Sequence, residues 1–536
     1  MKKIYLSLLV LTSMGATAQN WMWAKDRNTN NVNVSSRNTF RDAADNIYFL
    51  NEDKLCKYNS AGANLWSKNT IAINFMDFET DKIYTATQFT GTLTVGSNTF
   101  TPRSYYDMVV TKWDSSFTTP AWSVQFKGSI ASSGDKVYPL SVKAVNGFTY
   151  VLGNFDDSLF VNSTAIAGIN GLGTFIAKID ASGNVVYVSS FGYIYKSSVG
   201  EFSVEDMQLD ASGNIYFAGM FGEAKIAGTF YQANHTFPFG SGQDDPFYMK
   251  LDNTGTPVYF RTFWGSQQQA ETIKSLKLMG NNLVISGNYV DSLKIGTTQL
   301  IATAGSTKSG YVASLDLATG NTNWVKNSTS TKSCTAGSLV TDANNNLYLG
   351  GDYQKDMLFN GNSYAVTSAS PSIFNAYLIK LDANGNTLWS NLSGDCYLNA
   401  SSVLLLSNGD AVIGGNYTSP FGMSFGTNSL PGTAGYSHPF LARSGNPTSS
   451  IENHLMRNEE HVLFPNPFSQ NATIHFSTPL KTATIKIFDA TGKLVNEENF
   501  SGTDFNLERN NLSNGLYLYQ VISQDNFSAN GRFIIE

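Results

Sequence analysis

The feature that most limits how this chain can fold is a repeated strand motif, a short run of β-formers closed by small residues. It reads Asn46-Ile47-Tyr48, Lys82-Ile83-Tyr84, Phe148-Thr149-Tyr150-Val151-Leu152-Gly153, Asn214-Ile215-Tyr216-Phe217-Ala218-Gly219, Asn282-Leu283-Val284-Ile285-Ser286-Gly287, Asn346-Leu347-Tyr348-Leu349-Gly350-Gly351 and Asp410-Ala411-Val412-Ile413-Gly414-Gly415. From the second copy onward the spacing is 64 to 68 residues, while the first unit is abbreviated. A period of that length built from short strands implies the blades of a propeller rather than a solenoid. The total of 536 residues also exceeds the roughly 250–300 that one hydrophobic core serves unless the architecture repeats.

A second pattern recurs in step with the first: a strand, a tight turn, and a strand bearing an aromatic residue, as in Lys380-Leu381-Asp382-Ala383-Asn384-Gly385-Asn386-Thr387-Leu388-Trp389. Its anchors are Asn59, Asp114, Asp180, Asp252, Asp316, Asp382 and a degraded Ser444, followed by Trp66, Trp122, Tyr187, Tyr259, Trp324 and Trp389. The Asp can cap its own turn and the Gly accepts positive φ, so a hairpin with a glycine bulge is expected. The aromatics are expected to pack between blades, and loss of a buried Trp389 side chain would cost about 3–5 kcal/mol. The last copy lacks its aromatic strand, but Trp23-Ala24-Lys25 matches Trp66-Ser67-Lys68 and Trp324-Val325-Lys326. The expectation is therefore a ring closed by the N-terminal strand, through Trp23, Ala24 and Lys25, which spares the terminal blade an unpaired edge.

Charged residues make up only 14% of the chain, 35 Lys and Arg against 41 Asp and Glu, with a net charge of -6. With no basic cluster, nucleic acid is disfavoured as a partner. Residues 1–18 read as a signal peptide: Lys2 and Lys3, a short apolar run, then Ala16-Thr17-Ala18 as a cleavage site. No other stretch approaches the ~18 apolar residues of a transmembrane helix, so no transmembrane span is expected. Three cysteines, Cys56, Cys334 and Cys396, exclude a disulfide scaffold and read best as buried small hydrophobes.

The C-terminal region carries four motifs in order: Phe464-Pro465-Asn466-Pro467-Phe468, Asp489-Ala490-Thr491-Gly492-Lys493, Ser513-Asn514-Gly515-Leu516-Tyr517, and Gly531-Arg532-Phe533-Ile534-Ile535-Glu536. Together they resemble the type A C-terminal sorting domain that Bacteroidota use for type IX secretion, over residues 461–536, with Arg532 where the family usually has Lys. The resemblance implies a small Ig-like β-sandwich, recognition by the secretion machinery, and later removal with attachment to lipopolysaccharide. It also implies that Pro465, Asn466, Pro467, Asp489, Gly492, Lys493, Gly515, Tyr517 and Arg532 carry the signal, although turn and edge requirements alone would favour several of these residues. Residues 447–460, with Pro447 and the charged Glu459 and Glu460, read as a linker.

In the body, Asp244-Asp245-Pro246-Phe247-Tyr248-Met249-Lys250-Leu251-Asp252-Asn253-Thr254-Gly255, with Val258-Tyr259-Phe260 after it, resembles the bacterial seven-bladed β-propeller repeat family. The likeness runs over roughly residues 20–446. Leu315-Asp316-Leu317-Ala318-Thr319-Gly320-Asn321-Thr322-Asn323-Trp324 also resembles the tryptophan-docking repeat of quinoprotein propellers, which implies shared blade geometry but does not imply a quinone cofactor.

Candidate chemistry is thin. Acids on the innermost strands are Asp77, Glu79, Glu205, Asp206 and Glu271; Glu205 and Asp206 are adjacent, so strand alternation should send them to opposite faces, unable to act jointly on one bond. His235, His438, His454, His461 and His475 form no metal-ligand spacing, and the Asp-x-x-Gly turns lack the acids of a calcium loop. No catalytic, cofactor-binding or metal site is expected. Tyr105, Tyr106, Tyr193 and Tyr195 are candidates for sugar stacking on blade-top loops. Asp157-Ser158-Leu159 and Asp291-Ser292-Leu293 resemble the O-glycosylation signal of Bacteroidota, though repetition alone would place both alike.

The reading is an all-β protein: signal peptide 1–18, seven-bladed propeller 19–446, linker 447–460 and sorting domain 461–536. The expected function is a secreted or surface-bound binding and adhesion protein, monomeric, with a glycan or protein ligand on its loops. The alternatives are a carbohydrate- or peptide-degrading propeller enzyme and a purely structural surface component.

Overall fold

The structure is a computed structural model that describes residues 20–26, 36–51, 54–70, 73–130, 134–195, 203–233, 244–265, 271–366, 373–418, 422–432, 436–445, 461–490, 493–523 and 528–536. The expected signal peptide, the linker and Gly492 lie outside them. The chain divides into two compact units, Met1–Asn446 and Pro447–Glu536. Every regular element among the described residues is a β-strand.

The first unit is built from antiparallel four-stranded meanders. In one, Ser203–Leu209, Ile215–Phe221, Asp245–Leu251 and Pro257–Thr262 pair in chain order. Thr272–Met279, Asn282–Tyr289, Ser309–Asp316 and Thr322–Thr329 repeat the arrangement, as do Ser36–Arg41, Ile47–Asn51, Lys54–Tyr58 and Asn64–Asn69. The second strand of each meander carries the repeated motif and is almost wholly buried, because sheets cover it on both faces; Tyr216, Phe217 and Ala218 are inaccessible to solvent.

The first strands of successive meanders contact one another in turn. Ser36–Arg41 touches Phe75–Glu79, which touches Val137–Val145, then Ser203–Leu209, Thr272–Met279, Ser338–Thr341 and Tyr397–Leu405, which returns to Ser36–Arg41. The N-terminal strand Asn20–Asp26 pairs antiparallel with His438–Gly445, placing Trp23, Ala24 and Lys25 opposite Arg443, Ala442 and Leu441.

The Asp-x-x-Gly turns are hairpin turns. Asp382 Oδ1 accepts the backbone N–H groups of Asn384 and Asn386 at 2.9 and 2.8 Å, and Asp180 does the same for Ser182 and Asn184. Their glycines serve a second purpose. The indoles of Trp23, Trp122 and Trp324 donate to the carbonyls of Ser60, Ala181 and Ala383, each at 3.1 Å, one residue past the turn anchor of the next meander. A Cβ on Gly62, Gly183 or Gly385 would lie within 3.0, 2.8 or 2.9 Å of that indole, and these glycines hold φ of +80°, +91° and +77°. Only glycine meets both demands. Trp23, Trp122 and Trp324 thus lie half-buried over a neighbouring turn, while Trp389 packs half-buried against the side of a core cluster, its ring meeting Tyr348 edge-on at 5.8 Å. The full cost of deleting a core aromatic does not apply to it.

Short hairpins between second and third strands stitch adjacent meanders. Ser292–Ile295 pairs with Trp264–Gly265, Asp356–Phe359 with Ser328 and Thr329, and Glu223–Ile226 with the stretch from Gly192 to Tyr195. The chain turns into these hairpins at positive φ: 56° at Asp157 and 60° at Asp291, beside 67° at Gly91 in the equivalent place. That conformation tolerates Asp and Gly, which accounts locally for both Asp-Ser-Leu tripeptides. Their leucines, Leu159 and Leu293, are fully buried.

The second unit is one sheet in the order His461–Phe464, Asn471–Asp489, Gly515–Ser523, Ser528–Ile535, with Leu494–Glu508 on the Asn471–Asp489 strand. The long strand breaks register between His475 and Ala483, so Ile474 and Phe476 from one half and Ile485 and Ile487 from the other enter one core with Val521 and Phe533.

Candidate functional sites

In the second unit the motif residues meet at one end of the sheet. Asp489 pairs with Tyr517 and Tyr517 with Phe533, so three of the four stations form one row across adjacent strands. The Pro465-Asn466-Pro467 segment, with both X–Pro bonds cis, lies along the last strand: Asn466 Oδ1 accepts the Ile534 N–H at 2.9 Å and its Nδ2 donates to the Arg532 carbonyl at 3.3 Å. Phe468 N donates to Ile534 O and Glu536 N to Phe468 O, each at 3.0 Å. Asp489 and Lys493 close a turn, with Lys493 N donating to Asp489 Oδ1 at 3.1 Å. Tyr517 stacks on Phe533 at 5.4 Å and donates its hydroxyl proton to Ser513 O. Gly515 holds φ +153°, and the Arg532 side chain is exposed.

Sequence reasoning missed Arg509. Its guanidinium donates to the carbonyls of Leu512, Ser469 and Glu536 at 3.2 to 3.3 Å and to Asn514 Oδ1 at 2.6 Å, tying the third and fourth motifs to the residue that follows the first. A single Arg outside any motif gives no spacing signal; its role is visible only once the strands are folded. On the outward face of this end, Leu516 and Ile534 are paired and 43% and 42% exposed.

In the first unit, the circuit of first strands encloses a cavity of about 430 Å³. Asp77, Glu205 and Asp206 line it together with Lys143, Lys274 and Lys277. A register shift between Val204 and Asp206 leaves Glu205 bulged, so both neighbouring carboxylates reach the same cavity, contrary to simple alternation. Each acid is engaged. Asp77 pairs with Lys143 at 3.2 Å and accepts the Ala144 N–H at 2.7 Å; Glu205 pairs with Lys274 at 2.8 Å; Asp206 takes Lys277, the Ser275 hydroxyl and the Leu276 N–H. Burial pushes the Asp206 carboxyl upward, but the Lys277 and Lys143 charges and the Leu276 N–H outweigh it and hold it below the usual carboxylate range. Glu79 lies outside this lining and accepts the Gly147 N–H at 2.9 Å, and Glu271 is wholly buried.

The remaining candidates scatter. His438 is buried against Tyr417, His461 bonds the Tyr519 hydroxyl at 2.9 Å, and His475 pairs with Asp504 at 2.7 Å; His235 and His454 lie outside the described residues. Tyr105 is 51% exposed and meets the half-buried Tyr106 edge-on, whereas Tyr193 is buried within its strand and the Tyr195 side chain lies outside the described ones. Cys56, Cys334 and Cys396 are all buried free thiols, and burial raises the Cys334 thiol to about 11, against the smaller opposing effect of its bond to Ser328.

Comparison with known proteins separates the two units. Residues 462–536 match the family model of the secretion system C-terminal sorting domain. No curated protein matches the chain. Among solved structures, the Pan2 WD40 domain of Neurospora crassa is 9% identical, with 80% of this chain and 96% of that one covered, at a TM-score of 0.37. Drosophila Semaphorin 2a is 8% identical over 96% and 99%, at 0.37. A protein of unknown function from Bacteroides caccae is 9% identical over 67% and 93%, at 0.29. Scores of this size support nothing about what the body does, and its reading rests on its own geometry. The C-terminal unit is a type IX secretion sorting domain, recognised by the secretion machinery, and the chain that carries it is exported to the cell surface or beyond.

Proposed function

We propose that this is a Bacteroidota surface protein whose body, residues 19–446, is a seven-bladed β-propeller used for binding rather than catalysis. In this reading the signal peptide of residues 1–18 is removed, the N-terminal strand completes the last blade, and an Ig-like β-sandwich of residues 461–536 directs export across the outer membrane. The circuit of contacting first strands supports a ring, and the docking of Trp23 on Ser60, matching that of Trp122 and Trp324, supports closure through the N-terminus.

One observation carries the preference for binding. Every carboxylate lining the central cavity is held by a lysine from the neighbouring first strand, so none is free to abstract or deliver a proton. Such a wall presents fixed charges and hydroxyls to a glycan or protein ligand. The sorting residues Pro465, Asn466, Pro467, Asp489, Gly492, Lys493, Gly515, Tyr517 and Arg532 act by addressing the chain.

Deleting residues 461–536 is expected to hold the protein in the periplasm, and normal release of the truncated chain would overturn the export role. A glycan and protein array probed with the purified full chain is expected to show a saturable ligand. Turnover of an arrayed glycan or peptide would instead support the enzyme reading.

A further inference from the structure

In the C-terminal unit the strands that carry the motifs send their side chains two ways. Tyr517 and Phe533 turn inward, 7% and 0% exposed, into a core with Ile487 and Val521. Side chains buried in this way build the fold and offer a partner nothing to touch. Their neighbours Leu516, Leu518 and Ile534 turn outward and are 42% to 44% exposed, as is Leu494. They pair across four adjacent strand segments: Leu494 opposite Phe488, Phe488 opposite Leu518, Leu518 opposite Arg532, and Leu516 opposite Ile534. Directly opposed side chains stand about 5 Å apart, so these apolar residues form one patch bordered by Arg532.

The outward face of an antiparallel sheet is normally polar. Further along the same strands it is: Thr484 bonds Asn499 at 2.6 Å, Lys486 pairs with Glu497 at 3.6 Å, and Gln520 lies opposite Lys486. The apolar rows are confined to the end where the motifs meet. Charge and edge geometry limit what can cover them. Residues 461–536 hold five Lys and Arg against seven Asp and Glu, a balance that disfavours an anionic lipid surface. Beside the patch the outer edge of the last strand is taken up, because Asn466 accepts the Ile534 N–H and donates to the Arg532 carbonyl. A partner there packs on the face rather than adding a strand.

We propose that Leu516, Leu518 and Ile534, with Phe488 and Leu494, form the surface by which the secretion machinery reads this tail, covered by an apolar protein surface of that machinery. The inference rests on the export role of the tail and adds which side chains are touched: the outward neighbours of the buried motif residues.

Export of the full chain in its own bacterium tests it, scored as the fraction reaching surface and medium against that kept in the periplasm, beside the chain lacking residues 461–536. The double variant Leu516→Thr, Leu518→Thr keeps strand-compatible side chains. It is expected to lower export about tenfold or more, as loss of two central contacts would, with the protease resistance of the tail unchanged. Leu518→Met, which keeps an apolar side chain of similar volume, and Gln520→Thr, on the polar part of the same face, should export normally. If the double variant does not fold, Ile534→Thr against Ile534→Val decides in its place. Normal export of the folded double variant, or an equal loss in Gln520→Thr, would overturn the assignment and leave the export role standing. Normal release of the truncated chain would overturn both. A wild-type dimer that the double variant dissociates would give the face to a second copy of the chain instead.

Discussion

The two units solve the same problem, organising β-strands around a core, in opposite ways. The body repeats one local solution: a carboxylate caps a turn, a glycine in that turn leaves room for an indole, and the indole comes from the neighbouring sheet. The tail uses each motif once and gathers them at one end of a single sheet, where Asn466, Tyr517, the last strand and Arg509 hold one another. Repetition spreads the stabilising interactions over many similar junctions. Convergence concentrates them, so the two units should respond differently to single changes.

The largest effect should come from breaking the pairing of Asn20–Asp26 with His438–Gly445. Removing residues 20–26 takes away the partner of His438–Gly445, the docking of Trp23 on Ser60 and the Trp21 contacts with Leu392 and Phe425. The strand at Phe440 then becomes an exposed edge. The expected outcome is a melting temperature lower by several degrees or a concentration-dependent rise in light scattering. An unchanged melt in a monodisperse sample would show that the meanders stand independently and would remove the ring from the comparison.

The pairing of these two strands was legible in the sequence, since Trp23-Ala24-Lys25 repeats the pattern of Trp324-Val325-Lys326 and the last copy lacked its partner. Period, turn chemistry and alternation are local properties, and they carried the all-β class. Three features were not legible because they arise only when strands are placed. The bulge at Glu205 brings two adjacent carboxylates to one cavity. Trp389 packs half-buried against the side of a core cluster rather than within it. Arg509 reaches groups from Ser469 to Glu536.

The tail should show its concentration of interactions in Arg509→Ala. Four hydrogen bonds lost at partly exposed groups should cost about 1–3 kcal/mol in total, and because they join separate motifs, the loss should fall on recognition as well as on stability. The expected result is reduced export of the full chain together with faster proteolysis of the tail, the body remaining resistant. Arg509→Lys keeps the charge but not the fork of donors, so it should restore little. Full export of Arg509→Ala would mean the motifs are read independently and do not need their common anchor.

Acid should separate the units by a smaller margin. In the body, burial works against Asp42, Asp206 and Asp342, yet Asn46, the Lys277 charge and Asn346 respectively, with further partners, hold each below its usual range. A carboxylate lowered in the folded state stabilises the fold fully above its unfolded value, 3.8 for Asp, and that stability drains away as pH falls through the folded value. In the tail, Asp504 is lowered chiefly by its bond to His475, at a fully exposed site. All eight tryptophans lie in the body, so their emission reports that unit alone. Between about pH 5 and pH 3 the body's denaturant midpoint should fall steadily, while proteolytic resistance of the tail changes less. A body midpoint flat across that range would show that the Lys277 pairing with Asp206 and the Asn-capped turns add nothing to stability. Asp206→Asn separates the two contributions: it removes the cavity's share of the acid response and leaves the turns' share in place.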